Sequence, residues 1–254
     1  RKYNGEWVNV EERTEHIAVR WWPDQDSMVR VTPHGPVITD LLKFLLDYDG
    51  PDVSLQWTWQ KVEYTDIQAF YKMAHARTLD EFQAGVALIT SPGLNISYAD
   101  SEGNIAWWAA GKIAVRPPHL DGKTLLDGAS GKDELLGLLP FEQNPHLINP
   151  DWGYIVTANN MSTFKPVGGG KLQGYWQPGD RAARIEQILD EHTAPWTLEE
   201  MKAAQFDDVA WAAGPILETV LPILETGNAQ LSPLARDARE ALATWDRHCA
   251  VDSA

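Results

Sequence analysis

Alternating apolar and polar positions predict β-strands in the first half of the chain. Residues 16–21 and 27–38 carry β-branched side chains with partial alternation, and residues 23–26 form a turn signal between them. Residues 93–116 predict two further strands joined by an Asp-Ser-Glu-Gly turn, in which Gly103 occupies the position that requires a positive φ. We therefore expect mainly strands and hairpins here.

Two helices are predicted between these strand regions. Apolar residues recur at helical spacing in residues 65–78, behind a Thr-Asp pair that is expected to cap the helix. The next helix is predicted over residues 78–89, where Thr78 and Glu81 have the spacing of a capping box. Both helices should pack an apolar face against the sheet.

The pattern becomes helical in the last third of the chain. Asp180 is expected to cap one helix, a capping box that begins at Thr197 starts a second, and a Ser-Pro pair at residues 232–233 opens a third. Residues 1–160 are thus predicted to be mainly strands and residues 180–254 mainly helices. Strands followed by helices are typical of an α+β layered domain.

Composition narrows the class of function. The chain has 254 residues, 44% of them hydrophobic, and a formal net charge of -15. Such an acidic balance argues against nucleic acid and against an anionic membrane surface as partners, because both require a basic patch. No apolar run reaches the roughly 18 residues of a membrane span, and the N-terminus lacks the apolar core of a signal peptide. These features favour a solvent-facing enzyme or binding protein.

The chain contains twelve tryptophans and a single cysteine, Cys249. One cysteine excludes an internal disulfide framework and a cysteine metal cluster. The pairs Trp21-Trp22 and Trp107-Trp108 should point to opposite faces of a strand. Either the indoles pack in the core of a two-sided sheet, or they form a stacking platform for sugars or aromatic ligands.

Candidate catalytic residues are few when judged from the residues alone. The seven histidines include no HExxH motif, and a GxSxG nucleophile elbow is also missing. His34, next to Gly and Pro, suits either a structural hydrogen bond or catalysis. Asp100 and Glu102 are explained by their hairpin turn. Asn159 and Asn160 follow an apolar β-branched run, so they end a predicted strand and are typical of a turn.

Four stretches in succession carry a resemblance to a known family: YADSEGNIAWWAAGKIAVR, GLLPFEQNP, NPDWGYIVTANN and YWQPGDRAARI. Their order and spacing resemble the β-subunit of the penicillin acylase family of N-terminal nucleophile amidohydrolases, through essentially the whole chain. The resemblance implies the four-layer αββα sandwich of that family, incomplete in this chain. It also implies that residues 1–254 are an interior portion of the β-subunit.

The resemblance assigns roles to four residues. Asn159 matches the asparagine whose side-chain amide donates to the oxyanion of the tetrahedral intermediate, and Arg181 matches an arginine that orients it. Phe70 and Leu94 match apolar residues of the acyl pocket, although core packing explains each equally well. The alternative for Arg181 is an exposed side chain in the first helical turn, where the helix dipole disfavours positive charge. Asn160 is expected to hold the turn.

The resemblance also implies what this chain lacks. The nucleophile of the family is the N-terminal residue of the β-chain, usually Ser, and its own α-amine acts as the base. Residue 1 here is Arg1, so the nucleophile is expected upstream, and the β-chain is expected to continue beyond this sequence. We expect residues 1–254 alone to have no acylase activity.

The implied parent enzyme hydrolyses N-acyl amides such as penicillins or acyl-homoserine lactones through an acyl-enzyme ester. Its partners would be the small-molecule substrate, the α-subunit and the rest of the β-subunit. A non-catalytic, Trp-rich module that binds carbohydrate or another ligand is the alternative.

The resemblance implies no cofactor. Some members of the family bind calcium through an aspartate that follows the oxyanion asparagine, but this region of the chain is the run from Gly168 to Gly170, so no metal ligand is assigned. The family is usually exported in bacteria, which implies a periplasmic or secreted location.

Overall fold

The computed structural model describes residues 1–227 and 230–251, without the side chain of Lys61. The last three residues of the stretch that carries the family resemblance, 252–254, lie outside the described part. The chain divides into two compact units: residues 1–155 with 163–175, and residues 156–162 with 176–254. Strands and three α-helices form the first unit, and four α-helices form most of the second.

An exposed antiparallel hairpin begins the first unit. After the short pair β1 (Lys2–Tyr3) and β2 (Glu6–Trp7), strand β3 (Glu11–Ile17) pairs with β4 (Gln25–Thr32). Strand β4 also pairs with β5 (Gly35–Pro36). The helix α1 (Thr39–Leu46) follows.

The predicted bounds of the first strand are wrong. Ile17 pairs with Gln25, so the chain reverses between them and residues 18–24 lie outside both strands. Trp21 has a φ of 74° and an 83% exposed side chain, and Trp22 is also exposed, so this pair does not span a strand. The reason is that β3 is exposed along its whole length. A strand with no buried face shows no apolar alternation that could mark its ends.

The main core of the first unit lies between a three-stranded sheet and two helices. Strands β6 (Leu94–Ala99) and β7 (Ile105–Ala110) form the predicted hairpin, and a later strand, β10 (His146–Ile148), pairs with the other edge of β7. Between β7 and β10 lie the short paired strands β8 (Ala114–Val115) and β9 (Gly137–Leu138). The helices α2 (Asp66–His75) and α3 (Leu79–Val86) supply the other side of the core. The buried cluster consists of Ala69, Met73, Val86, Ile89, Ala106, Trp108 and Ala110.

The second tryptophan pair confirms the packing interpretation. Trp107 and Trp108 are 5% and 2% exposed, and as neighbours on β7 they point to opposite faces of the sheet. Trp108 belongs to the core cluster, whereas the indole N–H of Trp107 donates to Asn95 Oδ1 at 3.0 Å. Both indoles are therefore part of a buried two-sided strand.

The β6–β7 turn has the chemistry that the sequence predicts. Gly103 has a φ of 91°, and the Asp100 carboxylate accepts hydrogen bonds from the Asn104 side chain, from the backbone N–H groups of Asn104 and Glu102, and from the Tyr98 hydroxyl. These bonds, the Asn104 side chain first, lower the pKa of Asp100 to about 2. The Asp100 carboxylate therefore stabilises the turn.

The Thr-Asp pair at the start of α2 does not cap that helix through its side chains. Thr65 Oγ1 donates to the carbonyl of Leu88 at 2.6 Å. The Asp66 carboxylate accepts from the Thr90 backbone N–H at 3.0 Å and from the Thr90 hydroxyl. Asp66 is 5% exposed and Thr90 3% exposed. The pair therefore joins the start of α2 to the segment that leads from α3 into β6.

We expect Asp66→Ala to lower the free energy of opening this junction by about 2 kcal/mol, because the buried Thr90 N–H would lose its acceptor. The measurement is hydrogen exchange of the peptide that contains Thr90, which should become faster. Asp66→Asn keeps one acceptor oxygen and should change exchange less. Asp80→Ala, at an exposed aspartate in the first turn of α3, is the matched control. Equal exchange in Asp66→Ala and wild type would contradict the prediction.

The second unit consists mainly of four helices: α4 (Asp180–Glu191), α5 (Leu198–Gln205), α6 (Ala213–Thr226) and α7 (Pro233–Thr244). Thr197 forms the predicted capping box, and Ser232 caps α7 by accepting from the Ala235 N–H. Asp180 is the first helical residue rather than the cap, because Gly179 occupies the N-cap position. None of the described helices has the length and apolar character needed to span a membrane.

Candidate functional site

The two asparagines form a turn in the second unit. The prediction of a strand before them is wrong, because residues 154–157 belong to no strand and the last strand ends at Ile148. A β-branched run becomes a strand only where a neighbouring strand pairs with it. Asn159 has a φ of 61°, a left-handed conformation that asparagine tolerates better than most residues.

Four hydrogen bonds surround Asn159. Arg181 Nη2 donates to Asn159 Oδ1 and to the carbonyl of Ala158, both at 2.8 Å. The backbone N–H of Gln177 donates to the carbonyl of Asn159 at 2.8 Å. The backbone N–H of Ala158 donates to Asn160 Oδ1 at 3.0 Å. One of these bonds holds the side-chain amide of Asn159, and the other three hold the backbone around it.

The arginine determines which end of the amide is free. A guanidinium has only donors, so it pairs with the oxygen of an asparagine side chain and not with its nitrogen. Asn159 Oδ1 is occupied in this way, and within the described residues no acceptor bonds to Asn159 Nδ2. Two N–H donors on an exposed side chain are thus available to an external acceptor. A neutral donor in this arrangement can stabilise negative charge on a ligand oxygen.

A second arginine anchors the helix that carries Arg181. Arg184, three residues later on α4, donates to Asp207 through Nη2 at 2.6 Å and through Nε at 3.0 Å. The two side chains are 22% and 19% exposed. The hydrogen bond from Arg184 lowers the pKa of the Asp207 carboxyl. This bidentate pair ties the start of α4 to the segment that follows α5.

The other two predicted site residues lie in the first unit. Phe70 is on α2, and half of its surface is exposed. Leu94 begins β6, pairs with Ala110 and packs partly against the core cluster. Their role in an acyl pocket stays a prediction.

His34 has the structural hydrogen bonds that its sequence context allows. Its Nε2 lies 2.6 Å from Glu134 Oε1 and its Nδ1 lies 3.0 Å from Arg1 Nη2. It borders a cavity of about 570 Å³ in the first unit that the sequence did not indicate. Charged groups of both signs line this cavity, among them Arg30 and Asp52, which pair at 3.2 Å.

No metal site emerges from the described residues. In the ranges 1–227 and 230–251, no group of three or more His, Cys, Asp or Glu side chains is arranged to hold a metal ion. The run from Gly168 to Gly170 offers no side-chain oxygen where the resemblance would place a calcium ligand.

Comparison with known proteins decides the family. The family model described as penicillin amidase matches residues 1–254. The chain belongs to the penicillin amidase family. It is 28% identical over 251 residues to penicillin G acylase from Escherichia coli, a match that covers 96% of this chain and 28% of that protein.

Two other curated relatives and one solved structure agree with this family. The acyl-homoserine lactone acylase QuiP of Pseudomonas aeruginosa is 26% identical, and penicillin acylase 2 proenzyme of Pseudomonas sp. is 27% identical; these matches cover 98% and 96% of this chain and 30% of each relative. The structure of a thermostable penicillin G acylase from Alcaligenes faecalis superposes with a TM-score of 0.73 at 28% identity, over 97% of this chain and 43% of that one. The chain thus spans less than a third of these curated relatives.

Family membership agrees with the mixed helix and strand content that the sequence predicts. The structure adds residues that sequence reasoning did not assign to the site, namely Gln177, Arg184 and Asp207. An arginine and an aspartate can form a bidentate ion pair, which is the one signal that could have linked Arg184 to Asp207. Their separation along the chain conceals that signal.

Proposed function

We propose that this chain supplies the oxyanion-stabilising part of an amidohydrolase that cleaves N-acyl amides through an acyl-enzyme. The observation that carries the proposal is the hydrogen bond from Arg181 Nη2 to Asn159 Oδ1, which among the described residues leaves the Asn159 Nδ2 donors free. The relatives named as acylases of penicillin and of acyl-homoserine lactones support the substrate class. Penicillins and acyl-homoserine lactones share an amide between an acyl group and a more complex amine.

In the proposed reaction, a hydroxyl oxygen attacks the amide carbonyl carbon and the carbonyl oxygen becomes an oxyanion. Asn159 Nδ2 donates a hydrogen bond to that oxygen, most strongly when it carries the full negative charge. Collapse of the intermediate breaks the C–N bond, and the amine leaves with the proton taken from the nucleophile. Water then attacks the ester carbonyl carbon and a second oxyanion forms. Its collapse breaks the ester C–O bond, releases the acid and returns a proton from the water to the hydroxyl nucleophile.

The nucleophile and its base are proposed to come from an N-terminal Ser of the β-chain. A free α-amine titrates at about 8, so it accepts the hydroxyl proton near neutral pH. No residue of 1–254 is assigned this role, and the α-subunit with the rest of the β-subunit would complete the active site. All the groups that this chemistry requires are protein groups, so we propose no cofactor.

Three further parts of the proposal rest on the family resemblance. Phe70 and Leu94 would line the acyl pocket. The complete enzyme would have the four-layer αββα sandwich. It would act in the periplasm or outside a bacterial cell.

The test compares the full gene product with residues 1–254 alone, using penicillin G and an N-acyl-homoserine lactone as probes. We expect the full gene product to release the free acid and free amine from at least one probe, and residues 1–254 to release neither. Detection of both fragments separates amide hydrolysis from opening of the β-lactam or lactone ring. Cleavage of neither probe by the full gene product, or ring opening alone, would overturn the proposed function.

A further inference from the structure

Asn160 holds the backbone next to the proposed oxyanion donor. Its Oδ1 accepts from the backbone N–H of Ala158 at 3.0 Å, across the residue that lies between them. Asn160 is half-buried and Ala158 is 5% exposed, so this bond is partly shielded from water. The side chain of Asn160 is therefore directed back toward the turn.

The turn needs such a restraint. Asn159 has a left-handed φ of 61°, which is less favourable than a right-handed conformation for every residue except glycine. Ala158 is held at both of its polar groups, since Asn160 accepts from its N–H and Arg181 donates to its carbonyl. The Gln177 N–H holds the carbonyl of Asn159.

We propose that Asn160 is a positioning residue for the oxyanion donor, an inference that rests on the proposed function of Asn159. Arg181 fixes the orientation of the Asn159 amide, and Asn160 fixes the backbone N–H of Ala158, the residue that precedes Asn159. Hydrogen bonds weaken steeply as their angle falls. A small rotation of the peptide at Ala158 would thus move Asn159 Nδ2 away from the developing oxyanion without removing a group that touches substrate.

The experiment measures kcat and KM of the full gene product on whichever probe, penicillin G or an N-acyl-homoserine lactone, the wild type cleaves. We expect Asn160→Ala to lower kcat by about tenfold with little change in KM, because misplacement of a donor affects the transition state more than substrate binding. Asn160→Asp keeps an acceptor oxygen for the Ala158 N–H and should recover most of kcat. Asn160→Leu has a similar volume but no acceptor oxygen, so it should lose kcat as Asn160→Ala does, whereas a role as general packing would leave its kcat near that of the wild type.

Asn149→Ala is the matched control. Asn149 also has a left-handed φ, 46°, and its Oδ1 accepts a backbone hydrogen bond, from Ile105 at 2.9 Å, but it belongs to the first unit. This substitution should leave kcat unchanged. Circular dichroism and the thermal midpoint of each variant establish that it is folded.

A double variant separates the two proposals. In the Asn159→Ala background, Asn160→Ala should cause no further loss of kcat, because Asn160 acts only through Asn159. The further inference is overturned if Asn160→Ala keeps wild-type kcat while Asn159→Ala loses it, or if Asn160→Ala lowers kcat equally in both backgrounds. If Asn159→Ala itself keeps wild-type kcat, the proposed function of Asn159 fails, and the inference about Asn160 fails with it.

Discussion

Replacing Asn159 by alanine in the full gene product should lower kcat by about 10² to 10³, which is the usual cost of losing one oxyanion donor. KM should change little, since the donor acts mainly on charge that develops after substrate has bound. The structure gives the reason for so large an effect. Arg181 and the backbone hold the Asn159 amide before any substrate arrives, so the amide needs no reorganisation during the reaction.

A pair of variants separates loss of the amide from strain in the turn. Alanine at a φ of 61° is strained, whereas glycine adopts this conformation freely. Asn159→Gly should therefore fold at least as well as Asn159→Ala and lose the same factor in kcat. Steady-state kinetics of both variants, with thermal midpoints measured alongside, provide the check. Near-normal kcat in the glycine variant would show that Asn159 is a turn residue only.

The elements that the sequence predicted correctly carry local signals. In the turn of the β6–β7 hairpin, Asp100 accepts backbone hydrogen bonds and Gly103 adopts a positive φ. The helices α3, α5 and α7 begin at Thr or Ser caps that accept backbone hydrogen bonds. The helices α1 and α6 were not predicted, and neither has a side-chain cap. Caps thus located three helix starts, whereas α2 and α4 were also predicted although neither has a side-chain cap.

The errors arose where tertiary context decides the structure. The exposed strand β3 has no apolar alternation, and residues 154–157 have a strand-like composition without a paired neighbour. The candidate site also depends on tertiary contacts that the sequence does not reveal. The Arg181 to Asn159 hydrogen bond joins residues 22 positions apart, and no periodicity relates a loop residue to a helix start at that separation. Only the family resemblance pointed to the pair.

Replacing Arg181 by alanine should lower kcat by about 10- to 100-fold, less than the loss of the donor itself, because the amide remains but is no longer oriented. Without the guanidinium, the Asn159 side chain is free to rotate and present Oδ1 to the oxyanion, which is repulsive. Helix α4 should not be weakened by the substitution, since a cation in its first turn opposes the helix dipole. Loss of the hydrogen bond to the Ala158 carbonyl should lower the thermal midpoint somewhat, so the orienting role is read from kcat.

The double variant and a second arginine make the Arg181 prediction specific. In the Asn159→Ala background, Arg181→Ala should cost little more, because its main function is then already lost. Arg181→Lys should retain part of kcat, since an ammonium supplies donors without the rigid planar geometry of a guanidinium. Arg236→Ala removes an exposed arginine near the start of α7 and should leave kcat unchanged. Wild-type kcat in Arg181→Ala would contradict the orienting role, because the free amide would then be as effective as the held one.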